Sequence, residues 1–392
     1  RFIISDYNGD WSNITNGPHN ITAFYDFEVF AGSIFEMRNT ELRGVRGHQP
    51  GTWEDFGLVI WTNNTVIENC KIINSQPNSW IGVHYRNSSG HRMSNCTIYS
   101  IHHGVEYTYA NKNLLENTDF IGCRGCVGGA QPLIFYSSSN NRVQNCNFQN
   151  TTGDGIVLSK REPGENGSNN NRISNCYFDM SGAMASSILV YYSSNNIISN
   201  CTMANSRGEH GIGIFGDPMF FGYSDNNTIK DCIIYNNSIH GISLEYARNN
   251  TIKNCKIFDN NAVGIWIGGN VQNNLIYNNL LNNTDSIAFF LPANENYWNT
   301  TKQVGERIYS PGTEIGGNYW TNPMRNGYSD ICTDSNQDGF CDSAYDVENG
   351  VACTSGFDCS GNTDYLPLSN QRSFPTLSPF TKFWNFLKGL FT

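Results

Sequence analysis

Charge is the first thing this sequence has little of. Charged residues are 15% of its 392 positions, and the 24 Lys and Arg are scattered, which excludes the basic footprint of a nucleic-acid binder. Long apolar runs are missing too: nothing reaches the roughly 18 consecutive apolar residues that a membrane-spanning helix needs. Helical spacing of apolar residues is absent from the body of the chain. No leader precedes Arg1, which implies a mature terminus or a fragment.

Asparagine is what the chain has instead. Asn-x-Ser/Thr sequons stand at Asn13, Asn20, Asn63, Asn87, Asn150, Asn166, Asn226, Asn236, Asn249, Asn282 and Asn299, with two more at Asn95 and Asn200 inside the repeat described next. A low-charge surface rich in Asn, Ser and Thr suits an exported, extracellular glycoprotein. Of the 13 cysteines, nine lie between Cys70 and Cys255, and Cys332, Cys341, Cys353 and Cys359 crowd the C-terminal part.

Self-similarity decides the fold. An apolar-x-Asn-Cys motif recurs at Ile67–Cys70, Met93–Cys96, Val143–Cys146, Ile173–Cys176, Ile198–Cys201 and Ile252–Cys255, with Ile229–Cys232 carrying Asp231 for Asn. Degenerate copies at Asn39-Thr40, Asn117-Thr118 and Asn278-Asn279 bring the total to ten, 22 to 31 residues apart. A second short, β-branched, alternating element follows each copy, as in Gly155-Ile156-Val157-Leu158 and Gly241-Ile242-Ser243-Leu244. Asn-Asn and Ser-Ser-Asn clusters between them read as turns. The pattern predicts an all-β right-handed parallel β-helix, a solenoid of about ten rungs. The Asn beside each Cys is expected to form a ladder, and the Cys an inward stack.

These repeats resemble the pectate-lyase-like β-helix superfamily, and in particular the NosD-like, carbohydrate-binding-and-sugar-hydrolase repeat proteins of archaeal cell surfaces. The likeness covers about residues 30–300 and extends into Gly316-Gly317-Asn318-Tyr319-Trp320 and Asp364-Tyr365-Leu366-Pro367-Leu368. It implies the fold and leaves function open, since the superfamily hosts lyases, hydrolases, epimerases, adhesins and inert fibres. The expected organisation is a cap over 1–35, the β-helix over 36–300, a loop-rich calcium and disulfide module over 301–370, and a linker with an amphipathic tail over 371–392.

Asp334, Asn336, Asp338, Phe340 and Asp342 follow the alternate-oxygen spacing of an EF-hand-type calcium loop with Gly339 at its sixth position, so Ca²⁺ is the expected structural cofactor. Tyr345 stands where the usual bidentate Glu would be, and a metal-free Asp/Asn/Gly turn competes with this reading. Cys332, Cys341, Cys353 and Cys359 are expected to form two local disulfides, in a pairing that spacing does not choose. Cys123 and Cys126 form a Cys-x-x-Cys without the context of a redox motif.

His103, His210 and His240 each precede a Gly and, with Asp154, share one repeat position. Repetition explains them without catalysis, and of the carboxylates only Glu106, Asp154, Glu209 and Glu245 invite an enzyme reading. Aromatics recur at or after the second strand, and Tyr85, Tyr107, Tyr136, Tyr192, Phe221, Tyr246 and Trp266 are the expected ligand or partner face. In the tail, Phe380, Phe383, Trp384, Leu387 and Leu390 share one helical face, suited to assembly or to a membrane surface. The first expectation is thus a non-enzymatic, self-assembling surface-layer, sheath or filament protein. A carbohydrate-binding surface module comes second, and a polysaccharide lyase, hydrolase or epimerase third.

Overall fold

Each repeat yields three short strands because its apolar runs are too brief for anything longer and are separated by residues that tolerate tight corners. The computed structural model describes residues 2–4, 12–14, 27–43, 57–73, 81–99, 103–123, 131–180, 185–217, 219, 222–290, 295–348 and 361–370, with only the backbone described at 2–4 and 12–14. One coil consists of Ile197–Ser199, Thr202–Ala204 and Ile212–Phe215. The next lies parallel and in register, Ile198 on Ile229, Met203 on Ile234 and Ile214 on Leu244. The stack gives three parallel sheets of 11, 12 and 11 strands, a right-handed β-helix as expected.

The corner between first and second sheets is the Asn-Cys motif. Asn69, Asn95, Asn145, Asn175, Asn200 and Asn254 have φ between 52° and 56°, the left-handed region that asparagine tolerates better than most residues. The following Cys turns inward. Cys70, Cys96, Cys146, Cys176, Cys201, Cys232 and Cys255 are buried free thiols, each donating to the carbonyl two residues earlier at 3.1–3.3 Å. The core inside consists of in-register columns, such as Phe120, Phe148 and Phe178 with ring centroids 4.7 and 4.6 Å apart.

The buried asparagine ladder is not the expected one. The left-handed Asn beside Cys points its side chain out of the corner; Asn69, Asn95, Asn145, Asn175 and Asn200 are exposed, and only lateral bonds such as Asn145 Nδ2 to Asn117 Oδ1 (3.2 Å) join some of them. The buried ladder belongs to the second member of the Asn-Asn clusters, at the corner leading into the first sheet. From His91 onward, each N–H donates to the Oδ1 one rung on, through Asn113, Asn141, Asn171, Asn196, Asn227, Asn250, Asn274 and Asn296 to Asn362, at 2.7–3.2 Å.

The coil also outruns its expected limits. Phe2–Ile4, Ser12–Ile14 and Phe27–Val29 pair in register with the three strands of the following coil, so they form a rung and not a separate cap. At the other end Tyr319–Thr321 extends the second sheet from Leu280–Asn282. Trp298, Trp320 and Val347 close that end of the core, and the buried Asp364 locks the closure by accepting from Asn318 N and Trp320 Nε1, both at 2.8 Å.

Replacing Asn196 by Ala leaves the Asn171 amide buried without an acceptor and should destabilise the rod by about 1–3 kcal/mol. Asn200→Gly, at an exposed corner that glycine suits, should change stability by no more than about 0.5 kcal/mol. Equal losses from the two variants in denaturant unfolding would refute this assignment of the ladder.

Candidate functional site

Alternation along the third sheet sends every second side chain outward, and stacking sets those side chains in columns about 4.8 Å apart. The middle of this outer face is apolar: Ile134, Val157 and Leu189 form a buried cluster, with Tyr136, Tyr191 and Phe215 packed against it. Past them the face becomes aromatic. Rings run from Tyr191 to Phe215 (5.4 Å), and from His210 through His240 (5.0 Å) and Trp266 (5.8 Å) to Phe290 (5.9 Å). Two glycines let rings lie down on the sheet. A Cβ at Gly213 would stand 2.3 Å from the Phe215 ring, and one at Gly268 would stand 2.6 Å from Trp266.

Carboxylates gather on the same face. Asp154 accepts from Ser186 N at 2.8 Å, and Glu209 lies 3.3 Å from His210 Nε2. Burial raises Asp154 to about 6, helped by the charge of Glu209, and burial also raises Glu209 and Glu245. The Tyr191 phenol, raised to about 12 chiefly by burial, feels all three of these carboxylates. His210 and His240 are lowered to about 4 by burial, so both are neutral at ordinary pH. Among the described residues their buried Nδ1 atoms have no hydrogen-bond partner.

A charged knot sits nearer the N-terminus. Glu106 accepts from the Thr108 hydroxyl at 2.8 Å and lies 3.4 Å from His84 Nε2, 3.6 Å from His103 Nδ1 and 3.5 Å from Arg161. Burial alone would raise this carboxyl, yet the histidines and Thr108 lower it to about 2. Arg161 arrives on a loop strapped down by Glu165, which accepts from the Tyr109 and Ser137 hydroxyls at 2.6 and 2.8 Å.

The expected aromatic face is thus corrected in part. Tyr85 and Tyr107 are fully buried and stack with Phe135 in the core, because alternation counted from Val83 and Val105 turns both inward. Tyr136, Tyr192, Tyr246 and Trp266 are half-buried at the surface. Phe221, Cys353, Cys359, the sequon Asn20 and the tail residues Phe380 to Leu390 lie outside the described residues. Sequence reasoning counted Tyr191 and Phe215 among the recurring aromatics but did not place them on the outer face, and it left out Phe290; outward parity counted from the in-register Ile column finds all three.

Among the sequons, Asn63, Asn87, Asn150, Asn166, Asn226, Asn236 and Asn249 are exposed, whereas Asn282 and Asn299 are half-buried. Cys332 pairs with Cys341. In the loop they bracket, Asp334 accepts from the amides of Asp338 and Gly339, and Asn336 accepts from Asp338 N. Asp342 accepts from Ser335, and the Asp338 carboxylate meets Lys302 at 3.0 Å. Among the described residues no three His, Cys, Asp or Glu side chains are grouped to hold a metal.

The histidine column makes the rod acid-sensitive. Unfolded His titrates at ~6.5, so acidification protonates the unfolded chain before the buried pair, and stability falls from about pH 6.5 down to about pH 4. Asp154, whose folded value is raised, acts oppositely and removes stability as pH climbs from about 4 to about 6. A His210→Gln/His240→Gln variant should show a shallower acid-side decline in Tm. An unchanged slope would mean that the folded imidazoles are charged.

Known proteins match this architecture more than any chemistry. Residues 56–183 match the family described as right handed beta helix region, and residues 164–325 match the periplasmic copper-binding protein (NosD) family. No curated protein sequence matches significantly. A mutant of the periplasmic alginate epimerase AlgG is 16% identical, with TM-score 0.53 over 75% of this chain and 72% of its own. The A-module of the Azotobacter vinelandii mannuronan C-5 epimerase AlgE4 is also 16% identical, with TM-score 0.48 over 68% and 72%. The tailspike of E. coli bacteriophage HK620 is 8% identical, with TM-score 0.47 over 74% and 58%. Three in-register parallel sheets and the family matches, which together run over residues 56–325, agree on a right-handed parallel β-helix fold.

Proposed function

We propose that the chain is an exported glycan-binding rod whose third-sheet groove holds a neutral polysaccharide along the coil axis. The observation that carries this reading is the run of rings from His210 through His240 and Trp266 to Phe290, in which Trp266 lies over Gly268, with Phe215 over Gly213 beside His210. Flat aromatic faces suit the apolar faces of sugar rings. Neutral histidines and the carboxyls of Asp154, Glu209 and Glu245 supply donors and acceptors for hydroxyls. The excess of carboxylates over Arg161 and Lys160 would repel an acidic polymer. Support comes from this groove and not from the fold, which hosts many activities. Trp298, Trp320 and Asp364 close one end of the coil, so the self-assembling filament, the first expectation from sequence, would have to associate through the other end or through the tail.

Affinity electrophoresis against neutral and acidic polysaccharides tests the proposal. Retardation by a neutral polymer is expected, weakened about 3- to 10-fold in Trp266→Ala and in Phe215→Ala. Retardation only by acidic polymers, or none by any, would sink it. A second reading, acid–base chemistry on the bound chain, is favoured by Asp154, whose value near 6 suits proton transfer. It requires chain cleavage or altered sugar stereochemistry that falls about 10²-fold or more in Asp154→Asn with binding retained.

Calcium at Asp334, Asn336 and Asp338 remains our proposal for the C-terminal loop, and there it competes with Lys302 for Asp338. Chelation should lower Tm, and more steeply in Lys302→Met, where the competing ammonium is gone. A melt indifferent to chelator in both proteins would remove calcium from the account.

A further inference from the structure

The ladders do not all close. A second buried column runs Asn237 to Asn260 to Asn283, each N–H and Nδ2 donating to the Oδ1 one rung on at 2.9–3.2 Å. Asn283 is its last member. Its Nδ2 donates to Ile257 O at 2.9 Å, but among the described residues its backbone N–H meets no acceptor. The register places Leu281 on Trp320 and Asn282 on Thr321, so Asn322 is the residue due to continue the ladder. Asn322 instead turns away and bonds Asn326, Nδ2 to Oδ1 at 2.7 Å.

The missing rung leaves a cavity of about 150 Å³ between the last coil and the closing segment. One side is the open rung at Asn283 and Asp285. The other is aromatic: Trp320, Tyr345 and Tyr328 follow one another at 4.7 and 4.8 Å, tilted by 42° and 37°. Both flanks of this wall are fixed, Trp320 by its bond to Asp364 and Tyr328 by donating to Ser343 O at 2.8 Å. Asp285 stands exposed at the rim, in register with Val263 and hence in the column that carries His210 and His240.

We infer that this cavity binds a single neutral sugar ring, at a site separate from the groove. A hydroxyl is the group that fits: its oxygen accepts from the orphan Asn283 N–H, and a neighbouring hydroxyl donates to Asp285. A carboxylate could take the first role only against the charge of Asp285, and an apolar ligand would leave the amide buried and unpaired. The aromatic wall takes the ring face.

Titration calorimetry of the full chain with glucose, galactose, mannose, N-acetylglucosamine and glucuronate tests the inference. Saturable one-site binding of at least one neutral sugar is expected, with Kd in the millimolar range, on the order of 1–10 mM. It should vanish in Thr284→Trp, which fills the cavity from its exposed rim, and weaken about tenfold in Tyr345→Leu. Trp266→Ala should leave it unchanged, which separates its fate from that of the groove. Absence of saturable binding by any neutral sugar, binding that survives Thr284→Trp, loss of binding in Trp266→Ala, or glucuronate as the tightest ligand would each overturn the inference.

Discussion

A coil that turns three corners per rung must bury backbone amides at those corners, and the rest of this structure depends on how they are satisfied. At the corner leading into the first sheet the answer is one side-chain amide per rung, facing the same direction each time, from Asn113 to Asn296. The Oδ1 of Asn227 takes the N–H and Nδ2 of Asn196, while Asn227 donates from its own Nδ2 to Ser193 O. Each rung thus supplies an acceptor for its predecessor and requires one from its successor. Register follows from that demand, because a slip by one residue would bury several orphan amides at about 1–3 kcal/mol each.

That logic also explains what was legible in the sequence. The repeat, the parallel β-helix and the inward cysteines could be read because the motif is written ten times, seven of them with cysteine. Which Asn forms the ladder could not, since both candidate positions repeat with the same period. The difference lies in φ: the residue beside Cys is left-handed and throws its side chain out, whereas Asn196 and its equivalents follow a left-handed residue, such as Asn195 at 61°, and point in. Tyr85 and Tyr107 were misplaced for a related reason. An aromatic near a strand end reads as surface until its parity is counted from the core column. The groove's carboxylates were named but not seen as a group, because Asp154, Glu209 and Glu245 come together only by stacking of rungs, and their raised affinity for protons comes from burial that no local pattern records.

Function in such a repeat has to be made by interrupting it. The third-sheet column that reads Ile134, Val157, Leu189 becomes Gly213, Ser243, Trp266 within three rungs. Loss of the side chain at Gly213 gives Phe215 room to lie flat, and Gly268 does the same for Trp266. The loop carrying Arg161 is a second interruption, bringing a cation to Glu106, which repetition alone would have left buried against histidines. Neither change breaks the ladder: the Arg161 loop sits between Ser159 and Arg172, just ahead of Asn171, which still accepts from Asn141 N and donates to Asn196 Oδ1.

The two column ends make the same point about binding. At Asn362 the long ladder ends on a residue of the closing segment, and at Asp364 the cysteine column, continued through Asn279 and Asn318, ends on a carboxylate. Asp364 is surrounded by N–H groups of Asn318, Trp320 and Leu366, so burial raises its value only to about 7 and those donors oppose the rise. Those ends are closed by the chain itself. At Asn283 the chain had a suitable residue one rung on, Asn322, and routed it elsewhere. Among the described residues that amide has no acceptor, and the ligand hydroxyl we infer there would supply at this corner what a side chain of the next rung supplies at the others.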